Sequence, residues 1–168
     1  MDLSDLLSEP NRLALVEIDH QDWVLALGHR DPIEAAGAVR ALVRQAGALV
    51  VCTRYLGPLP DEAAATDGSS AFAPGLAPAP GDLVLTKYGV DVTDNPDVVD
   101  NLRLRGIERV LLTGALTEHG VAAAARSLLV AGFEVGVVGA ACAGASAAGH
   151  AAALDELAVA GVPVVDLT

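Results

Sequence analysis

Short apolar runs recur along the chain, and most of them stop at a polar residue or a glycine. Leu13–Ile18 (LALVEI) stops at Asp19, Ala48–Thr53 (ALVVCT) at Arg54, and Leu83–Thr86 (LVLT) at Lys87. Val110–Thr113 stops at Gly114, Val135–Val138 at Gly139, and Val162–Leu167 closes the chain. Runs this short, rich in Val and Leu and nearly continuous in apolar character, predict strands buried on both faces. Helical patterns lie between them: Pro32–Ala46, a helix opened by Asn95-Pro96 and ended by Gly106, Val121–Ala131, and Ala147–Ala160. Proline at a helix start and glycine just past its end are the expected boundary signals. Gly47, Gly106 and Gly132 each stand between a helix and the strand that follows. The alternation predicts an α/β fold: an open, mainly parallel six-stranded sheet with helices on both faces, a Rossmann-like three-layer arrangement.

One stretch breaks the rhythm. Residues 55–81 are rich in Pro, Gly and Ala and have no clear period, so they are expected to form a functional lid or a disordered segment. No domain boundary or repeat is visible, and residues 1–168 are read as a single domain. Aromatic residues make up only 3% of the chain, so the core must be built mainly from Ala, Val and Leu. With 22 acidic against 10 basic residues, the charge balance argues against nucleic acid and against an anionic membrane as partners. No apolar stretch reaches the roughly 18 residues of a membrane span. The two cysteines form no CxxC pair, and the opening MDLSDLLSEPNR is acidic where a secretory leader would be basic, which points to a reducing cytoplasm.

Ligands of open parallel sheets bind beyond the carboxyl ends of the strands. Asp19, Lys87 and Thr117–Gly120 all fall there. A carboxylate and an ammonium ending neighbouring buried strands would sit together with little water, and the helix starting near Val121 would aim N–H groups at the same crevice. The outline is that of an acid/base site with an oxyanion cradle.

In order and spacing the segments resemble the isochorismatase-like, or cysteine hydrolase, superfamily over nearly the whole chain. Ala14–Trp23 (ALVEIDHQDW) resembles its opening strand, and Lys87 follows the third strand as that family's lysine does. Arg105–Gly114 is similar to the family's run into its fourth strand, and Ala115–Val121 (ALTEHGV) lies where its nucleophile turn stands. Cys142 and His150 match recurrent positions in the last strand–helix unit. The resemblance implies an Asp–Lys–Cys triad, but the cysteine position here is Gly120. Thiolate attack is therefore excluded at that point. Members that hydrolyse isochorismate also carry glycine there, since a vinyl ether needs protonation and water. By that resemblance Asp19 would be the general acid or base, Lys87 its electrostatic partner, and Gly120 room for substrate or water. Gln21, Trp23, Tyr88, Leu116, Thr117 and His119 would contact a small-molecule substrate. The resemblance also implies a homodimer or higher homo-oligomer and no cofactor.

An alternative reading is a catalytically inactive binding or structural subunit of the same fold. Gly120, Ala140 in place of a frequent aspartate, and a Tyr88–Asp94 segment unlike the family's motivate it. Other groups have plainer explanations. His20, His29 and Asp22 could suggest metal, but relatives that bind it use a D-x-H pair where Arg54-Tyr55-Leu56 stand here, so no metal is expected. Asp91, Asp94, Asp97 and Asp100 read as a solvated rim and helix start, Arg103 and Arg105 as helix surface, and Cys52 and Cys142 as buried packing.

Overall fold

The computed structural model of the chain describes residues 3–56 and 70–167. Helix α1 (Leu3–Leu7) and a 3-10 turn (Pro10–Arg12) lead into β1 (Leu13–Ile18), and α2 (Asp22–Leu25) and α3 (Ile33–Ala46) precede β2 (Leu49–Tyr55). Next come β3 (Leu83–Lys87), a 3-10 turn (Val92–Asp94), α4 (Pro96–Leu104) and β4 (Arg109–Ala115). A π-turn (Thr117–Val121) runs into α5 (Ala122–Val130), followed by β5 (Glu134–Ala143) and α6 (Ala147–Val159). All strand pairs are parallel, in the order β3-β2-β1-β4-β5. The chain winds outward from β1 to β3 and then restarts beside β1 with β4. That reversal opens a crevice between the carboxyl ends of β1 and β4.

Strand alternation divides the core. Leu13 and Leu15 of β1 pack with Val39 and Val43 of α3 and with Leu3 and Leu6 of α1. Ala14, Val16 and Ile18 pack on the other face with Leu102, Leu128 and Leu157, from α4, α5 and α6. Small residues of α5 (Ala122, Ala124 and Ala125) are fully buried, allowing the helix to lie close to the sheet in a core with few aromatics.

The expected sixth strand reduces to one bridge between Val164 and Val137. The Val137 N–H donates to Pro163 O (3.0 Å) and the Val165 N–H to Val137 O (2.8 Å). Pro163 has no N–H to offer a ladder. β5 also bulges beyond that point: Leu112 pairs with Val137 but Gly114 with Cys142, so two residues of β4 are matched by five of β5. The sheet thus has five strands. β3 departs from the expectation of burial on both faces because it is an edge, and its Val84 is 41% exposed.

Residues 57–69 of the expected lid lie outside the described residues. The remainder is anchored: Ala73 and Leu76 are fully buried, Phe72 forms an antiparallel bridge with Gln21, and the Ala73 N–H donates to His20 O (2.8 Å).

The α3 face of the sheet contains a buried polar network. Glu17 accepts from Arg40 Nε (2.9 Å) and Nη2, while Arg40 Nη1 donates to Ala77 O (3.0 Å). His20 is as buried as Glu17, and neither of its ring nitrogens has a hydrogen-bond partner among the described residues. Burial first, and the Arg40 charge second, push the His20 pKa down to about 3. Folding therefore keeps His20 neutral at a pH where the unfolded chain protonates it, and its contribution to stability is lost as pH falls from about 6.5 towards 3. From pH 6.5 to pH 5 the loss is about 2 kcal/mol. Urea titrations of the wild type and His20→Leu across that interval should show the variant losing less; parallel curves would refute the assignment. His150 is shifted in the same direction, by burial and then by Arg30 and His29, and is common to both proteins.

Candidate active site

Strict alternation along β1 would send the residue after Ile18 to the face that holds Glu17. Asp19 escapes this because its backbone is left-handed, with φ 52°. Its carboxylate instead meets Thr53, from the opposite face of β2, whose hydroxyl donates to Oδ1 at 2.8 Å. Lys87 Nζ donates to Oδ2 at 2.5 Å. Both members of this pair are buried. Contrary to expectation, they do not end neighbouring strands: β2 runs between β1 and β3, and the long lysine side chain crosses its end. Along the way the ammonium passes 5.3 Å from the centre of the Tyr55 ring. Burial raises the Asp19 pKa, and although the Lys87 charge and the bonds from Lys87 and Thr53 lower it, the balance stays above the ordinary carboxylate value.

Gly114 and Gly120 let β4 and its turn approach this pair. A Cβ on Gly114, whose φ is 134°, would stand 2.1 Å from Ile18 O. One on Gly120 would stand 2.8 Å from Lys87 Nζ and 3.1 Å from Ile18 Cγ2. The lysine ammonium thus occupies space that a side chain at 120 would claim. Between the two glycines the Ala115–Leu116 peptide is cis, and the π-turn begins at Thr117. The N–H groups of His119 and Val121 both donate to Leu116 O, at 3.1 and 3.2 Å, so the helix start offers less of an oxyanion cradle than expected.

A cavity of about 160 Å³ opens over the pair. Asp19, Lys87 and Gly120 form part of its lining, with Trp23, Leu116 and His119 among the other expected residues. Three expected contacts lie elsewhere. Gln21 is fully buried and ties the strand ends together: its Nε2 donates to Tyr55 O (2.9 Å) and Ser70 O (3.1 Å), and its Oε1 accepts from the Tyr55 N–H (2.7 Å). Thr117 is buried and turned towards His150. Because Arg30 can only donate to His150 Nε2 (3.2 Å), Nδ1 carries the proton and donates to Thr117 Oγ1 (2.8 Å). Tyr88 is 54% exposed and is not on the cavity wall.

Sequence reasoning missed Tyr55, Val24, Leu27 and Val90, which line the wall together with Ala115. Tyr55 was detectable in principle, two residues beyond Thr53 on the same strand face, and Leu27 follows Trp23 at helical spacing. Val90 carries no such signal. Among the described residues no three His, Cys, Asp or Glu side chains are grouped to hold a metal ion.

Neither cysteine can replace a nucleophile here. Both are buried; burial pushes the Cys142 thiol up to about 12 and raises that of Cys52 as well. A thiol introduced by Gly120→Cys would instead lie beside the Lys87 ammonium, where thiolate is favoured. Iodoacetamide at pH 7.5 should therefore label Gly120→Cys at least tenfold faster than the double variant Gly120→Cys with Lys87→Met, read by intact mass. Equal labelling would place the ammonium elsewhere.

The sequence profile of the isochorismatase domain matches residues 13–168. Among solved structures, the chain is similar to an isochorismatase family protein from Burkholderia thailandensis (26% identity, TM-score 0.81, covering 93% of this chain and 92% of that one). It shares the fold of a pyrazinamidase from Pyrococcus horikoshii solved in complex with zinc (23% identity, TM-score 0.81, 93% and 99%). It also shares that of the YcaC gene product of Escherichia coli, described as an octameric hydrolase of unknown specificity (24% identity, TM-score 0.79, 94% and 76%). A comparison with curated proteins finds no match.

Proposed function

The chain belongs to the isochorismatase family, and on that premise we propose that it is a hydrolase working without a covalent nucleophile, with Asp19 as general acid and base on a small metabolite. The observation that carries this reading is a buried carboxyl, bonded to Lys87 on the cavity floor, beneath a residue with no side chain. A carboxyl held above its ordinary pKa can arrive protonated. On a vinyl ether it would pass that proton to the terminal alkene carbon, leaving an oxocarbenium ion that the restored carboxylate and Lys87 flank. Water adds to the cationic carbon and returns a proton to Asp19. The hemiketal then breaks its C–O bond, its hydroxyl proton moving to the departing oxygen, to yield a carbonyl compound and an alcohol. Lys87 holds the carboxylate in place between the two proton transfers. The homo-oligomer expected from the sequence is part of this proposal, with the octameric relative as its support.

A second reading, a binding subunit without turnover, is favoured by the missing nucleophile at Gly120. The two separate in a product assay by mass spectrometry over vinyl ethers, esters and amides. Products formed by the wild type and not by an Asp19 variant support the hydrolase; silence across the panel supports the binding subunit.

A further inference from the structure

The distribution of positive charge narrows the choice of substrate. The chain has ten Lys and Arg residues, of which Lys87 is the sole lysine. Its charge is already matched by Asp19 within the cavity. None of the nine arginines lines the wall. Five are paired with carboxylates elsewhere. Arg30 is held on the carbonyls of Gly139 and Cys142, Arg103 donates to Ala131 O, and Arg105 to Asn101. Arg54 lies over the Phe72 ring, 5.3 Å from its centre. Residues 57–69 contain Asp61, Glu62 and Asp67 but no lysine, arginine or histidine. On the lining itself only His119 could add a positive charge, and the other walls are largely apolar, with Trp23, Leu27 and Val90 among them.

We propose that this site accepts a compact uncharged molecule, with an apolar body and one polar function, and rejects carboxylates, isochorismate included. That the bound molecule is also the substrate rests on the hydrolase reading above; the binding preference does not. An anion entering this cavity would shed its water, find no unmatched cation and face the Asp19 carboxylate. A neutral molecule avoids all three costs. In size the cavity suits a single ring, since an apolar cavity of about 150 Å³ holds benzene.

Trp23 is the only tryptophan in the chain and lies on the cavity wall, so its fluorescence reports occupancy without any turnover. Benzamide and benzoate have nearly the same shape and differ in charge. At pH 8 benzamide should bind the wild type at least tenfold more tightly than benzoate. Asp19→Asn releases the Lys87 charge and should shift the ratio of benzoate to benzamide affinity at least tenfold towards benzoate. Benzoate binding the wild type as tightly as benzamide would overturn the proposal, as would failure of both to bind up to their solubility. The hydrolase reading fails separately: a preserved benzamide preference with no turnover in the product assay would leave a selective binding protein.

Discussion

Asp19→Asn is expected to lower turnover by about 10²- to 10⁴-fold, the range supplied by one positioned acid–base group. Asparagine keeps the size of the side chain and an oxygen that can accept from Thr53 or Lys87, so the contacts of the carboxylate survive in part. It cannot deliver or recover a proton. The pH profile gives an independent reading. Burial raises the Asp19 pKa, and the acid form is the one that starts the reaction. Wild-type kcat should therefore fall as pH rises through that raised value, and the falling limb should be absent from the residual activity of Asp19→Asn. A variant that turned over any wild-type substrate at the wild-type rate would remove Asp19 from the mechanism. Thermal melts accompany the kinetics, because Lys87 is left with a weaker partner in a buried place.

Arg40→Met should cost the most stability. Glu17 is buried near the carboxyl end of β1, and Arg40 is the cation that matches it, through two guanidinium nitrogens. Cys52 adds only a thiol donor, 3.2 Å from Oε2. Removing one partner of a buried pair leaves an unmatched charge, at about 3–5 kcal/mol. For a domain of this length that corresponds to a fall in Tm of roughly 10 °C. Replacing both residues (Glu17→Met with Arg40→Met) removes the charge as well as its partner and should recover most of the loss. Chemical denaturation of the three proteins measures this. A single variant within about 1 kcal/mol of the wild type would show that Glu17 finds another way to be neutralised. The network lies on the opposite face of the sheet from Lys87, so kcat at a temperature where the variant is folded should change little.

Helix and strand positions were largely legible in the chain because each rests on local chemistry. Leu13–Ile18 is predicted to the residue, and the helices ending at Gly47 and Gly132 are placed to within a residue or two. Where prediction and structure part, a partner decides. Val162–Leu167 has the composition of a strand, but Pro163 lacks a donor and β5 bulges away beyond Val138. Leu83–Thr86 reads as a fully buried strand, and its place at the sheet edge comes from the strand order, which composition does not encode.

The site divides in the same way. Asp19, Lys87 and Gly120 could be picked out because a charge or a glycine at the end of an apolar run stands out along the chain. Gln21, Thr117 and Tyr88 were equally plausible neighbours, since residue type and proximity in the chain say nothing of direction. Direction follows from backbone angles and from competition among partners. A φ of 52° turns Asp19 across the sheet to Thr53, Gln21 is consumed by backbone groups of Tyr55 and Ser70, and Thr117 is drawn to His150. Sequence alone determined the class of fold, the family resemblance and the absence of a cysteine from Ala115–Val121, because periodicity, helix boundaries and residue identity are local properties. Only the tertiary structure decided that burial outweighs Lys87 at Asp19, and that the cavity holds no unmatched Lys or Arg charge among its described lining, because desolvation and charge balance depend on everything packed around a group.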